Sequence, residues 1–63
     1  MTQKELLYVE DAINHEKNMV KILNDKINEL EDNQLVDYIN QEIKDHKKQQ
    51  KELERLLEDT SNE

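Results

Sequence analysis

Three side chains of this 63-residue chain, Glu16, Glu42 and His46, have the types and spacing for metal chemistry. Carboxylate and imidazole together suit iron, manganese or zinc. Helical bundles that hold such ions at mid-height supply a Glu from one helix and a Glu-x-x-His from the next. That requirement is half met. Glu42 is followed three residues on by Asp45, and His46 stands one position later. His15, beside Glu16, points about 100° away on a helix and could only edge such a site. The competing reading is a polar layer that fixes register and oligomeric state, the best-attested use of polar groups in helical seams. The missing Glu-x-x-His favours the polar layer, and no cofactor is expected. Either way, a charge in a seam is costly without a partner. Glu16 is therefore expected to bond to a second helix, of its own or a partner chain.

Other chemistries lack their parts. Ser61 stands near the end of the chain, far from either histidine, so a nucleophilic triad is not expected. No glycine exists to build a phosphate-cradling loop. Tyr8 and Tyr38 have no basic face around them on which bases could stack, and are read as core caps. There is no cysteine, which removes disulfides and thiolate metal sites. So small a bundle offers little room for a pocket, and no enzyme activity is expected.

The elements that would position these residues emerge from apolar phase, because glycine and proline are both absent. Leu6, Val9, Ile13, Glu16, Val20, Leu23, Ile27 and Leu30 recur by three and four, which is one seam of an α-helix. Only Glu16 is polar among them. A second stripe, Tyr8, Ala12, Met19 and Ile22, widens the apolar arc to suit a helix with two neighbours. Thr2 and Glu5 form the S/T-x-x-E capping box that opens the helix. Continued past residue 30, the seam would fall on Gln34, Asp37, Gln41 and Lys44. The apolar set is instead Leu35, Val36, Ile39, Ile43, Leu53, Leu56 and Leu57. This break marks a turn, with Asp32 as N-cap of a second helix and Asn33 as the alternative. A single helix of the whole chain would be ~90 Å long. The expectation is an all-α, antiparallel hairpin in one domain: helix 1 over about 3–30, a turn over about 31–34, helix 2 over about 34–59 and a frayed tail at 60–63. In that register Glu16 faces roughly Gln49, and His46 lies opposite Met19 and Val20.

A hairpin this small buries little surface, and association is the remedy left to a chain without cysteine. Two hairpins would pair into a four-helix bundle. The expected interface comprises Leu6, Val9, Ile13, Val20, Leu23, Ile27, Ile39, Ile43, Leu53 and Leu56. Charged residues make up 40% of the chain and the net charge is −7, which disfavours nucleic acid. The basic cluster Lys44, Lys47, Lys48, Lys51 and Arg55 is diluted by Glu52, Glu54, Glu58 and Asp59 and reads as a solvated helix face. No apolar run approaches a membrane span, and the first residues lack a signal peptide's hydrophobic stretch. A cytoplasmic protein is expected.

The run from Lys4 to Glu16, KELLYVEDAINHE, resembles the opening of short proteins of spore-forming Firmicutes similar to the spore coat protein F family. Asp32-Asn33-Gln34-Leu35 stands where that family has a D-P-E-L turn, with Asn33 in place of proline. Ile43 to Gln49 stands at its polar, His- and Gln-rich stretch. The resemblance covers nearly the whole chain; its first block is specific and the rest is generic helix. It implies a ferritin-like helical hairpin acting as half of a bundle, in a spore-coat or sporulation-associated structural role. Other spore-layer proteins are the partners it implies, and Glu16 and His46 its only site members. The small aspartyl-phosphate phosphatases of the sporulation stage zero E type are a second comparison, which would make the chain a regulator binding a phosphorylated signalling domain. Their S-Q-E-L-D motif is matched only by Asn40-Gln41-Glu42-Ile43-Lys44, without the serine or the aspartate.

Overall fold

The computed structural model describes residues 1–61. Two helices, α1 (Gln3–Ile27) and α2 (Asn33–Ser61), fold back on one another as an antiparallel hairpin. The Cα framework measures 48 × 14 × 11 Å. The tail expected at 60–63 starts inside α2, while Asn62 and Glu63 lie outside the described residues.

Each helix starts on a cap present in the sequence. The Thr2 hydroxyl accepts from the Glu5 N–H at 3.1 Å, and the Glu5 carboxylate accepts from the Thr2 N–H at 2.8 Å. This reciprocal box satisfies two of the four donors a helix start leaves open. Asp32 caps α2: its Oδ1 accepts from the N–H groups of Gln34 and Leu35 at 2.8 and 3.1 Å. Its carbonyl takes the N–H of Val36. Glu5 in the first turn of α1 and Lys26 in its last turn both oppose the helix dipole.

α1 ends three residues before the expected point. Asn28 is its C-cap, and Glu29 and Leu30 donate back three residues, to Lys26 and Ile27. Such tightened bonds satisfy the last carbonyls without a left-handed residue. Among the described residues no φ is positive, so the turn needs no glycine. The turn thus occupies residues 28–32, earlier than the expected 31–34. Leu30 is half-buried there although it lies outside the helix.

The burial pattern follows one stripe on each helix. On α1 it runs through Leu6, Val9, Ile13, Glu16, Val20, Leu23 and Ile27; on α2 through Val36, Ile39, Ile43, His46, Gln50, Leu53 and Leu57. Only Ile13 and Ile43, each 6% exposed, are buried among the described residues. Nine of the ten residues expected at an oligomer interface are therefore used inside the hairpin. Leu56 is exposed, and Leu57 takes its place in the seam. Of the second stripe, Ala12 and Met19 are half-buried while Tyr8 and Ile22 are exposed.

Truncating Ile13 or Ile43 to Ala should lower unfolding free energy by about 2–4 kcal/mol through lost burial and an unfilled gap. Urea denaturation followed by circular dichroism measures it, and a loss under half a kcal/mol would show that the seam is not the core. The capping box also carries a pH signature. The Thr2 backbone N–H, helped by the Thr2 hydroxyl, holds the Glu5 carboxyl below its ordinary 4.5. A depressed folded value stabilises above the unfolded value and fades as pH falls through the folded one. The first turn should therefore loosen below pH 4.5. Thr2→Ala, which keeps the backbone donor and loses the hydroxyl, should weaken that response and cost about 1 kcal/mol, whereas Glu5→Gln should remove the response. Backbone chemical shifts of Gln3 to Leu6 report both effects.

Candidate functional site

The site is built at mid-height, one helical turn from the two buried isoleucines. Glu16 follows Ile13 by three positions on α1, and His46 follows Ile43 by three on α2. Both therefore fall on the seam, and the antiparallel packing brings them face to face. His46 Nδ1 bonds to Glu16 Oε2 across the helix pair. A carboxylate only accepts, so Nδ1 carries the hydrogen and donates. The two side chains are 21% and 12% exposed. His46 Nε2 lies 3.8 Å from Glu42 Oε2, one turn back on its own helix. That separation is beyond a hydrogen bond. It becomes an ion pair when the imidazole carries both protons.

The expected bond from Glu16 to the second helix is thus present, and within one chain. Its partner differs from the register drawn from the sequence. Glu16 meets His46, whereas Gln49 points to solvent and Gln50 takes the seam position. The three-residue shift has the same size as the early end of α1. A shorter first helix moves every position of α2 along α1 by that amount. The sequence reading puts both Gln49 and Gln50 in the stripe of the second helix, and the structure keeps Gln50 there; its amide donates to Glu54 at 2.8 Å, which keeps two partly buried polar groups satisfied. The signal was in the sequence, as the three-four repeat through 43, 46, 50 and 53.

Glu16, Glu42 and His46 come together, but as a chain of contacts. The carboxylates sit at the two different ring nitrogens, which point to opposite edges of the imidazole. A metal ion can take only one of those nitrogens, so three donors do not converge on a point. Among the described residues no group of three or more His, Cys, Asp or Glu is placed to hold a metal ion. His15 is exposed and separate. Asp45, which stands where a Glu-x-x-His would have its histidine, accepts from the Gln41 amide at 3.0 Å on the surface.

The rest of the surface is open. The concavities formed by Lys48, Lys51, Glu52 and Arg55, and by Gln3, Leu6, Leu7 and Glu10, are shallow grooves between side chains of single helices. Lys44, Lys47, Lys48, Lys51 and Arg55 are all exposed, as a solvated face requires. Among the described residues no helix is long and apolar enough to cross a membrane. No family model matches the chain, and neither does any curated protein or solved structure.

Removing either member of the central pair strands the other in a half-buried seam, which costs about 1–3 kcal/mol. Glu16→Ala and His46→Ala should each show that loss, and the double variant should lose clearly less than their sum. Strict additivity in denaturant unfolding would mean the two groups do not interact.

Proposed function

We propose that the chain is a non-catalytic structural or interaction protein that works as a self-associating helical hairpin. The observation that carries this reading is the imbalance of its apolar surface. Two isoleucines are its whole buried core among the described residues, while Tyr8, Ile22, Leu35 and Tyr38 stand exposed. A single seam of this size rarely supplies more than about 3–5 kcal/mol, and natural chains this short are commonly completed by association. With no cysteine available for a disulfide, the exposed apolar groups are the resource that remains.

The central Glu16–His46 pair fits the same role. It selects one alignment of the two helices, and a protein whose purpose is to present a fixed surface needs that more than it needs a reactive group. The resemblance to the spore coat protein F family adds a setting, a layer assembled during sporulation with other spore-layer proteins as neighbours. In that setting a small, acidic, rigid hairpin is a building unit.

Sedimentation equilibrium on the order of tens of micromolar should give about twice the 7.6 kDa chain mass, with a melting temperature that rises with concentration. A monomeric mass with a concentration-independent melting temperature would overturn the reading. The setting has its own check: the chain should be enriched in spore-coat extracts, and unaltered spore composition after deletion would remove it.

A further inference from the structure

Among the described residues, five of the seven exposed large apolar side chains fall in two rows, and Met1 and Leu7 lie outside them. On α1, Tyr8, Ala12, His15, Met19 and Ile22 follow one another by four and three. On α2, Leu35, Tyr38, Glu42, Asp45, Gln49, Glu52 and Leu56 do the same. At about 100° per residue each row lies roughly a quarter turn from the seam of its helix, on the side of decreasing angle. In two antiparallel helices that rotation carries both rows to the same face of the hairpin. Tyr8 and Tyr38 are about 60% exposed on it, and Ile22 and Leu35 are exposed beside them. Lys4 lies over the Tyr8 ring at 5.9 Å. The register set by Glu16 and His46 fixes the heights. Tyr8 lies level with Leu56 at the open end, His15 with Asp45 and Gln49 at mid-height, and Ile22 with Tyr38 near the turn.

The area agrees with one more copy on this face. The hairpin exposes 5236 Å². A compact monomer of its mass would expose about 4,300 Å², so roughly 900 Å² is surplus. A standard interface covers about 800 Å² on each partner.

Charge then selects the orientation. Between Tyr8 and Ile22 the α1 row carries no acidic group. Between Tyr38 and Leu56 the α2 row carries Glu42, Asp45 and Glu52. If the two turns lay at opposite ends, each helix would face its own copy, and the acidic row would stack on itself. If the turns lie at the same end, α1 packs on the partner's α2, and the acidic row meets one that has His15 at its centre. Like charges directly opposed are destabilising, whereas this second pairing places Tyr8 by Leu56 of the partner subunit, Ile22 by Tyr38 of the partner subunit, and His15 by Asp45 of the partner subunit.

We infer that a second copy of this chain docks on the Tyr8–Ile22 and Leu35–Leu56 face about a twofold axis parallel to the helices, with both turns at one end and α1 of each copy against α2 of the other. The inference rests on the self-association proposed above and adds its surface and direction.

A single spin label tests it, because the chain has no cysteine to interfere. Glu31→Cys places the label in the turn, away from the seam. With helices about 10 Å apart, pulsed dipolar spectroscopy should give label separations below about 35 Å. A separation near or above the 48 Å length of the hairpin means turns at opposite ends, which overturns the orientation and leaves the dimer standing. A monomer, with no dipolar signal, overturns both and gives the face to a different partner. In the same labelled chain Tyr38→Glu should weaken self-association at least tenfold with helicity unchanged; an unaffected dimer places the interface elsewhere.

Discussion

Two helices joined by five residues share one seam, and anything that seam does not cover must face water or another molecule. The interior of such a hairpin is closer to a line than to a volume. Side chains on the line are flanked by solvent on both sides, which is why residues as apolar as Leu23 and Ile27 are only half-buried and why Ile13 and Ile43 alone escape water among the described residues. Surface-to-volume scaling makes this unavoidable at 63 residues. The design problem is then to align the two stripes correctly with little packing energy to spare.

The polar pair answers that problem. A seam with a three-four repeat is nearly symmetric to a slip of seven residues, about 10 Å along the helix. After such a slip, Leu, Ile and Val would still meet Leu, Ile and Val. Glu16 would instead meet Ile39 or Leu53, and His46 would meet Val9 or Leu23. Each polar group would lose its partner and keep its burial, which costs more than the seam gains from any one apolar contact. One bond between two half-buried groups thus separates the native alignment from its nearest competitors. An apolar pair at these positions could bind more strongly and discriminate less, as buried polar pairs elsewhere illustrate.

How much of this was legible in the sequence varied with the kind of signal. Both N-termini could be read from local chemistry, because Thr2–Glu5 and Asp32 act through bonds spanning two or three residues. The seam of α1 was legible because seven of eight positions are apolar. The end of α1 was not. Leu30 keeps the seam's phase, so the pattern continues past the last helical residue, Ile27. Leu30 is half-buried over the end of the hairpin, and apolar phase cannot tell a helical position from a folded-back one. From that ambiguity came the three-residue shift that exchanged Gln49 for His46 as the partner of Glu16. The residues of the site were legible as a group, but their pairing depended on a turn length that no glycine or proline marks.

The same economy explains the composition of the outer faces. With a net charge of −7, an acidic chain that associates must keep like charges apart. Its basic groups on α2 gather at Lys44, Lys47, Lys48, Lys51 and Arg55, all exposed on the side away from the apolar rows, where they lower the field of the whole helix. The acidic groups that do lie in the α2 row sit at its middle, between the apolar ends formed by Tyr38 and Leu56. A contact built this way gains its free energy at the two ends and its selectivity at the centre, as the seam itself does with Glu16 and His46. In the proposed assembly neither surface is large, so closing the hairpin and pairing the hairpins would each depend on the free energy of the other, and the folded state would be set by concentration as much as by sequence.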